Sequence, residues 1–148
     1  MPSSVKSGQF TRSIVVVEDD AFLRALLADS LEKAGFDVST AASAADAKRI
    51  IRVVDPDAVV LDIDLGPGAN GMDLVHIINQ QNTGTAVLFL TKFPDLRTAG
   101  MDESARSLAQ GFLRKELVGD SDYLINAIEA VLADRKDVRH DRRPDRPL

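Results

Sequence analysis

Polar side chains follow four short apolar runs of this chain, each at the point where the run ends. They are Glu18, Asp19, Asp20, Asp62, Thr91 and Lys115. In an open parallel α/β sheet, ligands bind just beyond the carboxyl ends of the strands. We therefore expect three carboxylates, a hydroxyl and an ammonium group to meet in one acidic pocket. Such a set suits a divalent cation together with a phosphoryl group.

The chemistry of this set follows from its charges. Neighbouring carboxylates repel one another and raise each other's pKa unless a cation neutralises them. Oxygen ligands without His or Cys favour a hard ion, Mg²⁺ or alternatively Mn²⁺. Lys115 can pair with Asp62 or with an incoming phosphoryl group, to which the Thr91 hydroxyl can also donate. A carboxylate can itself be the phosphoryl nucleophile, and it needs no general base because it attacks already ionised.

Each of these residues also has an ordinary structural explanation. Asp20 alone is more typical of a helix cap than of a ligand, and Asp62 alone is typical of a turn. Thr91 alone satisfies backbone groups, and Lys115 alone is a solvated cation. The functional interpretation depends on their joint occurrence at the ends of the first, third, fourth and fifth strands.

Strand and helix patterns alternate along the chain. The predicted strands are Ile14–Val17, Phe36–Thr40, Ala58–Leu61, Ala86–Leu90 and Phe112–Leu113. Their near-continuous apolar character is typical of parallel strands buried on both faces. Short connections through helices imply right-handed crossovers. The pattern predicts an α/β fold with a doubly wound parallel sheet.

Capping residues delimit the helices. Asp20, Ser43 and Ser121 are predicted N-caps, and Gly35 and the Asp55-Pro56 pair are predicted stops. The first helix carries apolar residues at helical spacing, namely Phe22, Leu23, Leu26, Leu27 and Leu31. The crossover over residues 92–110 contains Pro94 and Gly100 and few apolar residues at that spacing. We expect its helix, through Ala105 and Leu108, to be short, displaced or mobile.

Composition and charge set the boundaries of the expected domain. The chain has 148 residues, no cysteine and a net charge of −5. From Asp134 onward, six basic and four acidic residues give +2, which leaves −7 for the body. We expect a flexible segment over residues 1–12, one domain over 13–133 and a basic disordered tail over 134–148. The acidic body argues against binding nucleic acid over a wide surface.

The apolar runs are far shorter than the roughly 18 residues that a membrane span needs. The N-terminus also lacks a hydrophobic signal core. We therefore expect a cytoplasmic protein with no membrane partner.

These motifs resemble the response-regulator receiver domain of bacterial two-component signalling, over roughly Ser13 to Ala133. The matching segments are Val15–Asp20, Val60–Asp62, Leu90–Thr91 and Phe112–Lys115. The resemblance implies a flavodoxin-like fold, a (βα)5 arrangement with strand order 2-1-3-4-5.

The resemblance also implies the roles of the pocket residues. Asp62 is the phosphorylated residue, and Asp19 is a direct Mg²⁺ ligand, with Glu18 reaching the ion through water. The main-chain carbonyl of Asp64 is a further metal ligand. Lys115 contacts the phosphoryl group.

A second pair of residues is implied to act as a switch. Thr91 moves toward the phosphoryl oxygens, and the ring of Phe112 turns inward. Lys92 replaces the small residue usual after the switch threonine, and Glu116 replaces the usual proline after the lysine. We hypothesise that the side chains of Asp64 and Lys92 tune the lifetime of the phosphoryl group.

Three functions are compatible with the sequence. The first is a stand-alone phosphoacceptor switch that is not an enzyme, is fed by a histidine kinase or histidine phosphotransfer protein, and signals by protein contact. The second is a pseudo-receiver that binds partners without phosphorylation. The third is a haloacid-dehalogenase-like phosphatase, because Asp62-Ile63-Asp64 is an Asp-x-Asp motif, although Leu65-Gly66 follow where that family has a threonine. Homodimer formation and the downstream target are left open.

Overall fold

Five parallel strands form one sheet in the order β2-β1-β3-β4-β5. They are β1 (Ser13–Val17), β2 (Asp37–Ala41), β3 (Ala58–Asp62), β4 (Ala86–Thr91) and β5 (Gly111–Arg114). The computed structural model describes residues 11–63, 71–81, 84–92 and 107–142. The strand order confirms the flavodoxin-like, doubly wound arrangement that the motifs implied.

Four helices are described, and here they are numbered in chain order. They are α1 (Ala21–Lys33), α2 (Ala44–Val54), α3 (Gly71–Gln81) and α4 (Ser121–Arg142). The predicted helix between β4 and β5 falls mainly on residues 93–106, outside the described ranges. Ser107 and Leu108, at its described end, lie in a turn, which agrees with a short or irregular helix.

The sheet separates two apolar cores because alternate residues of each strand face opposite sides. On one face, α1 and α4 cover the strands, and Leu27, Leu31, Leu124 and Ile128 are fully buried there. On the other face, α2 and α3 contribute Ala47, Ile51, Leu74, Val75 and Ile78. The inner strands β1, β3 and β4 are covered on both faces and buried along nearly their whole length, which explains why they are almost entirely apolar.

Predicted capping residues begin and end the first two helices. Asp20 Oδ1 accepts from the N–H of Leu23 at 3.0 Å, and Ser43 Oγ accepts from the N–H of Asp46 at 3.2 Å. After α1, Gly35 has a φ of 100°, which a residue with a Cβ rarely adopts. These local signals fix where the β1–α1 loop ends, and that loop carries the acidic residues.

The last helix differs from its prediction at both ends. Its N-terminal cap is Asp120, not Ser121, because Asp120 Oδ1 accepts from the N–H groups of Asp122 and Tyr123 at 2.9 and 3.4 Å. At the other end the helix continues to Arg142, whereas we expected a disordered tail from residue 134. The chain contains no Gly or Pro from Ser121 to Arg142, so nothing in its backbone chemistry stops the helix there.

One apolar residue of α1 does not face the core. Phe22 is 78% exposed, although the apolar pattern of the first helix includes it. Leu27 and Leu31 are four residues apart and fully buried, so they define the inward face of α1. Phe22 lies about 100° around the helix from Leu23, away from that face.

The amino-terminal edge of the sheet is held by a buried carboxylate. Asp57 is fully buried, and its Oδ2 accepts from the N–H of Ser13 at 2.8 Å. Arg12 Nη1 lies 4.0 Å from Asp57 Oδ1, and the Arg12 carbonyl accepts from the N–H of Asp37 at 2.9 Å. Arg12, which we had placed in a flexible segment, is therefore attached to the sheet, while residues 1–10 lie outside the described ranges.

No helix among the described residues is long and apolar enough to span a bilayer.

Candidate functional site

The strand register brings the predicted polar residues to one edge of the sheet. Val17 lies opposite Leu61, and Asp62 lies opposite Leu90. At the far side, the N–H of Lys115 donates to the Thr91 carbonyl at 2.8 Å. The carboxyl ends of β1, β3, β4 and β5 are therefore level, as the sequence predicted.

Glu18 is the first residue after β1 and is completely buried. Its N–H donates to the Ala41 carbonyl at 3.0 Å, and its Oε2 accepts from the N–H of Asp20 at 2.9 Å. Asp19, the next residue, is exposed. The β1–α1 loop thus holds one carboxylate inside the protein and presents a second to solvent.

Lys115 joins two carboxylates that come from different strands. Its Nζ lies 3.1 Å from Asp62 Oδ1 and 3.6 Å from Glu18 Oε1. The Asp62 side chain is about 1% exposed and that of Lys115 is 20% exposed. Side chains two residues apart on a strand face the same side of the sheet. Glu18, Asp62 and Lys115 each stand two residues after a member of the core covered by α1 and α4, namely Val16, Val60 and Leu113. All three side chains therefore face that side, which explains why they meet.

Three carboxylates form a group of the right size for a metal ion. One oxygen each from Glu18, Asp19 and Asp62 lies within 4.8 Å of the others. Glu18 Oε1 is buried and has no hydrogen-bond donor in the described part of the chain. Oxygen ligands at these separations fit a hard divalent cation such as Mg²⁺ or Mn²⁺, which would supply the missing positive charge.

The pKa of the buried Glu18 is shifted by its surroundings. Burial raises the pKa of Glu18 from 4.5 to about 7. The value of about 7 is the net result: burial contributes most, the Asp62 charge and the Asp19 side chain also raise the Glu18 pKa, and the Asp20 N–H and the Lys115 charge lower it. The single ammonium group therefore does not fully compensate the buried charge of Glu18, and a divalent cation bound beside it would lower the Glu18 pKa.

Thr91 and Phe112, the predicted switch pair, lie on the neighbouring strands β4 and β5. Thr91 ends β4, one residue beyond the register partner of Asp62, and is 2% exposed. Phe112 is 43% exposed, and its ring lies 5.8 Å from that of the buried Phe89 at an angle of 56°. The ring of Phe112 is thus partly exposed and packs against that of Phe89.

The remaining predicted residues are only partly described. Lys92 is exposed directly after Thr91. Asp64, expected to supply a carbonyl ligand and to act with Lys92, lies outside the described residues. Glu116, which stands where a proline was expected, forms an ion pair with Arg114 at 3.0 Å.

Two contacts near the site were not predicted from the sequence. Arg24 Nη1 donates to the Glu18 carbonyl at 2.8 Å and lies 3.5 Å from the Asp19 carbonyl. Tyr123 Oη accepts from the N–H of Arg114 at 3.0 Å, next to Lys115. An arginine in the first turn after an acidic loop is the only sequence signal for the first contact, and nothing local signals the second.

The chain is similar to a known family and to known proteins. Residues 14–129 match the model of the response regulator receiver domain. The chain is 34% identical over 115 residues to the transcriptional regulatory protein PrrA of Mycobacterium leprae, covering 76% of this chain and 49% of PrrA. It is 33% identical over 108 residues to the DNA-binding response regulator MtrA of the same organism, covering 71% of this chain and 47% of MtrA. The chain spans about half the length of the curated relatives it matches.

Solved structures share the fold. NtrX from Brucella abortus aligns with a TM-score of 0.77 and 30% identity, covering 88% of this chain and 29% of NtrX. The N-terminal domain of a response regulator/sensory box/GGDEF protein from Carboxydothermus hydrogenoformans aligns with a TM-score of 0.73 and 28% identity. The alignment covers 87% of this chain and 100% of that domain.

Proposed function

The chain belongs to the response regulator receiver domain family, and from this premise we propose that Asp62 accepts a phosphoryl group in a Mg²⁺-dependent reaction. The observation that carries the proposal is the contact of Lys115 Nζ with Asp62 Oδ1 at 3.1 Å, inside a group of three carboxylates. The phosphodonor is a histidine kinase or a histidine phosphotransfer protein of a two-component system.

In this reaction a carboxylate oxygen of Asp62 attacks the phosphorus atom. The new O–P bond forms as the bond from phosphorus to the donor's nitrogen breaks, and the electron pair leaves with the imidazole, which takes a proton from solvent. The Lys115 ammonium already lies beside the nucleophile and is placed to receive a phosphoryl oxygen. Because the ammonium is positioned in advance, it stabilises the developing charge without reorganisation.

The metal ligands are assigned from the acidic group. Asp19 and Asp62 would bind Mg²⁺ directly, Glu18 would bind through water, and the Asp64 carbonyl is proposed as a further ligand. When bound, Mg²⁺ supplies positive charge to the phosphoryl oxygens. Glu18 then holds its proton less tightly, because the ion compensates its buried charge.

The phosphoryl group is proposed to act through Thr91 and Phe112. The Thr91 hydroxyl would donate to a phosphoryl oxygen, and the space it leaves would admit the ring of Phe112, which now lies half-exposed against Phe89. The resulting change of surface is the signal that a protein partner reads. Output through protein contact is our proposal for this chain, whose relatives are named as transcriptional and DNA-binding regulators.

Phosphorylation is tested with acetyl phosphate and Mg²⁺, followed by intact-protein mass spectrometry. We expect a gain of one phosphoryl group that requires Mg²⁺ and that Asp62→Asn abolishes. Asp37→Asn, an exposed acid at the opposite edge of the sheet, should be labelled like the wild type. No labelling of the wild type with any small phosphodonor or kinase would favour the pseudo-receiver function, and turnover of a phosphomonoester would favour the phosphatase function.

The switch is tested with a tryptophan reporter, because the chain has no tryptophan. Phe112→Trp should show a blue-shifted emission when beryllofluoride and Mg²⁺ are added, since the ring moves out of water. Phe36→Trp, next to the amino end of β2 and therefore at the opposite end of the strands from the acidic group, should not respond. Equal responses from the two variants would contradict the proposed movement.

The lifetime hypothesis concerns Asp64 and Lys92. We propose that their charges order or exclude the water that hydrolyses the aspartyl phosphate. Replacing both with neutral residues should change the rate of dephosphorylation, followed by loss of radiolabel after removal of the donor. An unchanged rate would reject the hypothesis without affecting the proposed phosphorylation.

A further inference from the structure

Arg24 reaches from α1 back to the loop that carries the metal ligands. Its Nη1 donates to the Glu18 carbonyl at 2.8 Å and lies 3.5 Å from the Asp19 carbonyl. Arg24 is half-buried, and its own N–H donates to the Asp20 carbonyl at 2.9 Å as part of the first turn of the helix. One guanidinium group therefore bridges two consecutive carbonyl groups of the acidic loop.

The other polar groups of this loop are already fixed by different partners. The N–H of Glu18 donates to the Ala41 carbonyl, and the N–H of Asp20 donates to the Glu18 side chain. These contacts use the N–H groups of Glu18 and Asp20, and neither of them involves the Glu18 carbonyl in the peptide between Glu18 and Asp19. The Arg24 contact is the one among the described residues that holds the Glu18 carbonyl.

Rotation of that peptide plane would redirect the Asp19 side chain. Asp19 is exposed, so little packing surrounds its side chain, and besides its hydrogen bond with the Glu18 side chain its direction is set by the backbone. Its position relative to Glu18 and Asp62 depends on the backbone that carries it. A metal site formed by three carboxylates within 4.8 Å tolerates little displacement of one of them.

We propose that Arg24 is a positioning residue for the metal site: it locks the Glu18–Asp19 peptide so that the Asp19 carboxylate stays directed at the cation. This inference rests on the proposed function for the identity of the cation. It does not require that Asp62 is phosphorylated. Groups that orient metal ligands from outside the ligand set typically contribute 10- to 100-fold to metal affinity. Arginine suits the task because it stays protonated at every physiological pH and offers several donors in a fixed plane.

Calorimetric titration of the full chain with Mg²⁺ tests the inference directly. Arg24→Ala should raise the Mg²⁺ dissociation constant about 10-fold, and Arg24→Lys, which keeps one donor and the charge, should recover part of the loss. Lys33→Ala is the matched control: it removes one positive charge from the same helix, about 14 Å along the axis from Arg24. Lys33 is exposed and pairs only with Asp29 on its own helix in the described structure, so this variant should bind Mg²⁺ like the wild type.

A second readout separates positioning from a general loss of structure. In acetyl phosphate labelling, Arg24→Ala should need about 10-fold more Mg²⁺ for half-maximal rate but reach a similar maximal rate once Mg²⁺ saturates. A lower maximal rate at unchanged Mg²⁺ dependence would overturn the inference, as would wild-type Mg²⁺ affinity in Arg24→Ala. If Arg24→Ala does not fold, Arg24→Gln and Arg24→Lys replace it in both assays, with the same expected order of affinities.

The two proposals fail in different ways. A wild-type chain that binds Mg²⁺ but is never phosphorylated would contradict the proposed function, while the calorimetric comparison would still decide the role of Arg24. A wild-type chain that is phosphorylated, together with an Arg24→Ala variant of equal Mg²⁺ affinity, would contradict only the role of Arg24. A wild-type chain that binds no divalent cation would overturn both.

Discussion

Replacing Glu18 with glutamine removes one buried charge from the acidic group and changes little else. The glutamine side-chain oxygen can still accept from the N–H of Asp20, which now donates to Glu18 Oε2 at 2.9 Å. The side chain keeps its size, so packing at the end of β1 is retained. Any change in the pH dependence of stability then reports the ionisation of Glu18 itself.

The sign and size of the effect follow from the pKa of Glu18. Burial raises that pKa from 4.5 to about 7, so the native state holds the proton more tightly than the unfolded chain. Stability from this group is therefore fully present below about pH 4.5 and is lost as the pH rises through about 7. At 1.36 kcal/mol per pKa unit, the full shift corresponds to about 3 kcal/mol. Because solvent relaxation reduces such effects, we expect a loss of roughly 1–3 kcal/mol.

Urea unfolding followed by circular dichroism, in EDTA and at several pH values, measures this loss. The free energy of unfolding of the wild type should fall between about pH 5 and pH 8, and Glu18→Gln should remove most of that fall. Glu129→Gln, an exposed glutamate on α4, serves as the control and should behave like the wild type. Equal pH dependence in Glu18→Gln and the wild type would refute the reasoning.

Magnesium provides a further arm of the same experiment. At pH 8, Mg²⁺ at about 100 times its dissociation constant should stabilise the wild type by about 3 kcal/mol. The same Mg²⁺ concentration should stabilise Glu18→Gln less, because that variant has lost one carboxylate of the acidic group.

Three further predictions concern neighbouring contacts. Lys115→Met should make the fall in stability with rising pH steeper, the opposite of Glu18→Gln, because the buried carboxylates lose their compensating charge; urea unfolding at two pH values checks this. Tyr123→Phe should cost about 1–2 kcal/mol of unfolding free energy, since the half-buried N–H of Arg114 loses its acceptor at 3.0 Å; Asn126→Ala, at an exposed position of the same helix, is the control that leaves this bond intact. Asp57→Asn should lower the free energy of unfolding by roughly 2–3 kcal/mol, because an uncharged amide no longer balances Arg12; no loss would contradict the structural role of that carboxylate.

The sequence predicted the sheet and the residues at its carboxyl edge because both depend on local and periodic signals. Apolar runs of strand length define β1, β3 and β4, and a parallel sheet brings their ends together whatever the details of packing. The meeting of Glu18, Asp62 and Lys115 follows from the two-residue repeat of strands once the register is known. The register itself came from the structure.

Other features depend on tertiary contacts that spacing does not encode. Arg24 was not predicted as part of the site, because a long side chain can reach several neighbours and only the fold selects the Glu18 carbonyl. Asp120 and Ser121 are both good caps and adjacent in sequence, so the choice between them depends on the path of the preceding turn. The charged composition after residue 133 predicts disorder, whereas the helix continues to Arg142 because the segment lacks helix breakers.

Side chains connect the neighbouring inner strands β1 and β3 at both of their ends. At the amino end, Asp57 holds the backbone of Ser13, and at the carboxyl end Lys115 bridges Glu18 and Asp62. A chemical change at Asp62 directly alters only the connection at the carboxyl end, because Asp62 takes part in that contact alone of the two. We therefore expect the amino end to stay in place when Asp62 is modified, so that a spectroscopic label near Ser13 serves as a reference for measuring movement of a label near Phe112.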